Sequence, residues 1–161
     1  MKRAWNKIND TSYTFIMEEK VVGKLEIFPN TLECKGNFSI DDQVFEIKRT
    51  GFWKSQLTIT NDLNEVVLKL YPEKWYANTS IIELEDRQLK LKIRNNPLAE
   101  FVISEHEQEL LAYGLDTTNH KISVRITDNG NKHVLLDFLL WYLFAPVINE
   151  HSADTYSFLF S

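Results

Sequence analysis

The run from Val134 to Ile148 carries Asp137 as its only charge. Read as a helix, it has no polar face to turn towards water. It is also too short for a bilayer, which needs about 20 apolar residues. Such a helix has to be covered by protein on every side. The natural expectation is a sheet wrapped around it.

The residues before it have the pattern of that sheet. Short runs rich in β-branched and aromatic residues are separated by polar turn residues. They are Trp5–Ile8, Ser12–Met17, Val21–Phe28, Cys34–Ile40, Val44–Lys48, Phe52–Thr60, Glu65–Tyr71, Ile81–Glu85, Gln88–Arg94, Leu98–Ser104, Glu109–Leu115 and Lys121–Thr127. Phe45 and Ile47 alternate with Glu46 and Lys48, the mark of a half-buried strand. Twelve strands at this close spacing predict a mainly β fold, a closed antiparallel barrel enclosing one C-terminal helix. With few Gly and Pro and no linker, residues 1–161 read as a single domain.

A weak internal repeat supports an up-and-down order. Leu57-Thr58-Ile59-Thr60 followed by Glu65-Val66-Val67 matches Phe101-Val102-Ile103-Ser104 followed by Glu109-Leu110-Leu111. Each unit reads as a β-hairpin, with turns at Asn61–Asn64 and Glu105–Gln108. The period then changes. Asp128-Asn129-Gly130-Asn131 predicts a turn and an N-cap, because an Asn side chain accepts from the first helical amides. The residue before a proline avoids the helical region, so Pro146 sets an expected end or kink near Phe144. The predicted helix spans about 131–145. Beyond it, Thr155–Ser161 contains Tyr156, Phe158, Leu159 and Phe160, suited to a last strand or a frayed end.

Charge and cysteine content narrow the class. A net charge of −5 argues against nucleic-acid binding, which rests on a basic surface. Cys34 is the only cysteine, so an intrachain disulfide is excluded and a reducing compartment is expected. No apolar segment follows Lys2 and Arg3, so no secretory signal is read, and the Asn9, Asn37 and Asn78 sequons carry little weight. The expected location is cytoplasmic, peripheral to the membrane if a lipid is the ligand.

Gly36-Asn37-Phe38, the Phe45-x-Ile47 strand, and Ile122-Ser123-Val124-Arg125-Ile126-Thr127-Asp128 running into Leu135-Leu136 carry a resemblance. In that order, over nearly the whole chain, they resemble the LURP-one-related branch of the tubby-like superfamily, to which phospholipid scramblases also belong. The resemblance implies a closed twelve-stranded barrel threaded by its C-terminal helix. Tubby domains bind phosphoinositides on the outer barrel wall, but their basic residues have no assignable counterparts here. Scramblases carry a proline-rich leader and a cysteine cluster; this sequence has neither, which counts against scramblase activity.

Candidate site residues follow from strand alternation. In Gln88–Arg94 the period of two puts Lys90, Lys92 and Arg94 on one face. Lys121 and Arg125 share a face of another strand. Side by side, these five form an expected anion-binding wall for a lipid headgroup. A solvated outer face, with lysine guarding an edge, explains the same pattern. Asp137 and His133 lie one helical turn apart, either as a proton-accepting pair or as an acid near the helix N-terminus. Trp5, Trp53 and Trp75 sit near Lys7, Lys54 and Lys74. A membrane interface suits them, but inward aromatics alternating with outward lysines account for them more cheaply.

No motif for a metal, cofactor or catalytic nucleophile stands out. Glu105-His106-Glu107 with Glu109 lacks a zinc pattern, and Asp41-Asp42 and Glu85-Asp86 read as acidic turns. The expectation is therefore a non-enzymatic binding module without cofactor or metal, recognising anionic phospholipid headgroups on the outer wall. Two alternatives stand beside it, a protein–protein interaction scaffold and a lipocalin-like small-molecule carrier. A lipocalin helix packs outside its barrel and needs a polar face, which Val134–Phe144 lacks. Nothing in the pattern specifies an oligomeric state.

Overall fold

A computed structural model describes residues 2–32, 34–51, 55–74, 78–95, 98–151 and 158–160. Strands β1 (Arg3–Asn9), β2 (Ser12–Met17), β3 (Lys20–Ile27), β4 (Gly36–Ile40), β5 (Gln43–Thr50) and β6 (Gln56–Asn61) come first. They continue as β7 (Val66–Pro72), β8 (Thr79–Leu84), β9 (Arg87–Asn95), β10 (Ala99–Glu105), β11 (Gln108–Thr118) and β12 (Lys121–Asp128). Each pairs antiparallel with the next, so the sheet is an unbroken meander of twelve strands. Helix α1 (Val134–His151) follows, then a short β13 (Phe158–Phe160). β13 pairs in parallel with β12 and borders β1, which makes the barrel nearly closed.

The helix lies inside this barrel. From Leu135 to Tyr142 every side chain is buried, and so are Phe144, Ala145 and Ile148. Inward positions of the strands meet it, alternating with outward polar ones. Trp5 stacks on Trp141 with ring centroids 5.1 Å apart and touches Phe138 edge-on at 4.9 Å. Phe38 on β4 stacks on Phe138 at 4.8 Å. Burying each such side chain contributes about 1.5–3 kcal/mol, and no part of the α1 surface from 135 to 142 is left over. Gly23 permits one close approach, since a Cβ there would stand 2.9 Å from the Phe138 ring and 2.0 Å from the Ser39 carbonyl oxygen.

Local chemistry sets the connections. Four two-residue turns, Glu18-Glu19, Asp41-Asp42, His106-Glu107 and Asn119-His120, hold positive φ at both positions without glycine. That geometry matches the twist of the flanking strands and closes each hairpin tightly. The repeat noticed in the sequence has a structural counterpart. β6–β7 and β10–β11 each carry a register shift at the matched step, between Ile59 and Thr60 and between Ile103 and Ser104.

The helix differs from its predicted span of 131–145. Asp128 Oδ1 accepts from the Gly130 and Asn131 amides, and Asn131 Oδ1 accepts from the His133 amide, so polar turns occupy the chain up to His133. Helical residues start at Val134. At the other end α1 continues through Pro146 to His151. Proline removes one helical hydrogen bond, and α1 passes through Pro146 at an exposed position.

Candidate functional site

The five predicted basic residues lie on the outer wall, but not in one row. β9 and β12 are separated by β10 and β11. Glu100 on β10 stands between them, opposite Arg94 on one side and Gly114 on the other, with Arg125 beyond Gly114. Its carboxylate accepts from Arg94 Nε at 2.5 Å and from Arg125 Nη2 at 2.7 Å. A Cβ at Gly114 would lie 2.8 Å from Arg125 Nη2 and 3.2 Å from Glu100 Oε2, so the glycine keeps the lane between them open.

Two more acids complete this network. Arg94 Nη1 donates to Glu109 at 2.7 Å, and Arg125 pairs with Asp116. Burial acts to raise the Glu100 carboxyl, yet hydrogen bonds and charge from Arg125 and Arg94 outweigh it and hold the group below its usual range. Two arginines thus face three carboxylates. Lys90 Nζ lies 3.3 Å from Glu73. Lys92 and Lys121 are exposed and make no ion pair among the described residues. The expected anion-binding wall of five free cations is therefore reduced to scattered lysines, because acids on the strands between neutralise its arginines.

A second polar cluster lies inside the barrel. Asp137, in the first turn of α1, is fully buried. Tyr113 Oη donates to Asp137 Oδ1 at 2.7 Å and accepts from Trp5 Nε1 at 2.9 Å. Arg3 Nε is 3.4 Å from Asp137 Oδ1, Arg3 also pairs with Asp128, and its Nη2 donates to the Asn131 carbonyl at 2.9 Å. Burial pushes the Asp137 carboxyl up to about 7, against the pull of Arg3 and the Tyr113 hydroxyl. Burial and the nearby Asp137 charge also raise the Tyr113 phenol well above its usual value. Of the two readings of Asp137, the acid in the first turn of the helix is the one found; His133 Nε2 does not pair with it and faces Glu85 at 3.4 Å. Arg3, Tyr113 and Glu100 carried no sequence signal for these roles, since their partners are distant in the chain.

At the helix N-terminal end the barrel mouth opens into a recess of about 680 Å³. Phe45, Leu68, Leu84 and Leu135 line it, and Val44, Leu63 and Val66 stand round it with exposures of 53%, 72% and 49%. Asp62, Glu83, Glu85, Lys69 and His133 supply its polar edge. Glu83 Oε1 accepts from the Tyr71 hydroxyl at 2.7 Å. The strand pattern gave no sign of this recess, because it depends on how three hairpin tips and the start of α1 meet.

The remaining candidates are also placed. Trp5 points into the core, as alternation predicts, while Trp53, Lys54 and Trp75 lie outside the described residues. Glu105 forms a two-bond pair with Arg87 at 3.0 and 2.9 Å, and His106-Glu107 is a hairpin turn. Among the described residues no three His, Cys, Asp or Glu side chains converge to hold a metal ion. No helix among them is long and apolar enough to cross a membrane. No protein-family model, curated protein or solved structure matches this chain.

Proposed function

We propose that this chain is a non-enzymatic binding module that takes an apolar-anchored ligand at the helix-side mouth of its barrel. The recess there carries the reading. Three exposed aliphatic side chains border one concavity with a buried apolar lining. Clustered apolar surface of this kind marks an interaction site, because water leaves it when a partner covers it. Its volume lies in the range of ligand sites. α1 fills the barrel interior, so a lipocalin-like carrier with an internal calyx is not favoured.

The resemblance to the LURP-one-related branch of the tubby-like superfamily fits twelve antiparallel strands round one enclosed helix. That likeness brings the outer wall into consideration as a phosphoinositide surface. There Lys90, Lys92 and Lys121 are the cations not held by the Glu100 network. The mouth is favoured over the wall because Arg94 and Arg125 are engaged by acids. A cytoplasmic location belongs to the same proposal and rests on the solitary Cys34.

The test is Nile red fluorescence with amide NMR spectra. Dye emission should rise with the native protein, shift the Val44, Leu63, Val66 and Leu135 amides, and fall back in Leu63→Asp/Val66→Asp. Absence of dye binding, with anionic vesicles shifting the Lys92 and Lys121 amides instead, would replace the mouth by the wall.

A further inference from the structure

Resting on that reading of the mouth, we propose that its ligand is a basic, amphipathic segment of a partner protein. One bulky apolar side chain of that segment enters the recess while flanking Lys or Arg residues meet carboxylates around the mouth.

Five hairpins turn at this end of the barrel, and every one carries an exposed carboxylate. They are Glu18-Glu19 between β2 and β3, Asp41-Asp42 between β4 and β5, and Asp62 with Glu65 between β6 and β7. Glu85-Asp86 joins β8 to β9, and Glu107 sits between β10 and β11. The exposed lysines at this end are Lys2, Lys20, Lys69 and Lys132, so the nine turn acids outnumber them about two to one. The chain as a whole has a net charge of only −5. Its negative charge is therefore gathered at one end.

Inside the recess the balance is the same. Asp62, Glu83 and Glu85 border it against a single lysine, Lys69. His133, the other titratable base there, stands 3.4 Å from Glu85 and adds charge only when protonated. The apolar lining and the acidic rim together demand a ligand with the opposite arrangement, an apolar anchor with cationic flanks. A polyanion or an anionic membrane would be repelled from this end. Complementary charge of this kind chiefly raises the association rate and selects the partner.

The topology also fixes how the segment docks. β5, β6, β7 and β8 are each paired on both sides, so the mouth offers no unpaired strand edge to a partner. Strand addition is excluded there, and recognition has to pass through side chains entering the recess.

The experiment uses the full chain and three synthetic peptides with one common aromatic anchor and lysine, glutamine or glutamate flanks. Binding is read by fluorescence anisotropy, and occupancy of the recess by displacement of Nile red. The lysine peptide should bind at least about tenfold tighter than the glutamate peptide at low salt. Its advantage should shrink between about 0.01 and 0.15 M salt, where screening shortens from roughly 30 to 8 Å. Asp62→Asn/Glu83→Gln/Glu85→Gln should remove most of the preference while near-ultraviolet dichroism stays native. Equal affinities with the dye displaced would overturn the basic partner and leave the recess standing. Lysine-peptide binding that neither displaces the dye nor responds to Leu63→Asp would overturn it as unspecific charge attraction. If neither dye nor peptide binds, the mouth falls as well. Tighter binding to anionic vesicles than to the lysine peptide would also overturn the proposal.

Discussion

Asp137 is where a single side chain sets a property that solution measurements can read. Its folded-state pKa of about 7 lies above the unfolded carboxylate value near 4. Between those values the native protein holds a proton that the unfolded chain has released. Stability therefore falls as pH rises through this window, with the whole penalty present above it. Asp137→Asn removes this group. Its stability relative to the unaltered protein should grow from pH 4 to 7, by on the order of 4 kcal/mol at most. Urea unfolding across that range checks it, and an unchanging difference would show that the carboxylate is not strained. Glu100 and Asp128 act with the opposite sign. Both are held below their usual range by arginine partners, so the stability they contribute is lost in acid. That loss is common to both proteins and cancels. At Gly114 the effect is steric. Gly114→Ala should push Arg125 from Glu100 and cost about 1–3 kcal/mol, measured by denaturant titration. In the sequence Gly114 is one small residue in an apolar strand, and only the register of β10, β11 and β12 gives it this role.

Among the elements, α1 depends least on its own propensity and most on its surroundings. Phe, Trp and Tyr are middling helix formers, yet the segment has nowhere else to place its apolar surface. Trp141 meets Trp5, Tyr13 and Tyr113 at once. Trp141→Ala should destabilise by about 3–5 kcal/mol, because the barrel wall cannot collapse on the space left. Calorimetry checks this, and a loss below 1 kcal/mol would mean that α1 is not held in a packed interior. Strand alternation was legible because half of each strand faces that helix, and among the described residues the observed bounds fall within a few residues of the expected ones. The turns were less so. Glu107 sits at φ 66°, a conformation that costs a non-glycine residue energy. Glu107→Gly should therefore stabilise by up to about 1 kcal/mol, read as a rise in Tm, and a fall would show that the turn depends on the carboxylate. Of the end or kink expected at Pro146, the end is not found, and the helix passes through this exposed position to His151.

Across the whole molecule the decisive place is the seam. β1 and β12 are not paired with each other; β13 lies between them, and Arg3 reaches across to Asp128 and Asp137. Removing residues 158–160 should leave the meander intact. Among Ile122, Ser123 and Val124, the residues opposite β13, it should speed hydrogen exchange by one or more decades at the amides that point towards β13 and leave those bonded to β11 unchanged. Uniform acceleration throughout the sheet would instead make β13 part of the global fold. At this scale too the two candidate sites part. The outer-wall lysines and arginines were visible in the sequence, but their neutralising acids were not recognisable as partners. The mouth was invisible as a recess, although Glu85 stood in the sequence within an acidic turn and Asp62 within a hairpin turn.

The pattern of apolar and polar residues determined the meander and the enclosed helix by itself, because burial is decided by periodicity and an all-apolar helix has one stable environment. Tertiary structure decided which charges stay available. Glu100 reaches Arg94 and Arg125 only across neighbouring strands, and Arg3 meets Asp137 only when the barrel nearly closes. Electrostatic energy depends on separations of a few ångströms, and chain order alone does not determine those separations.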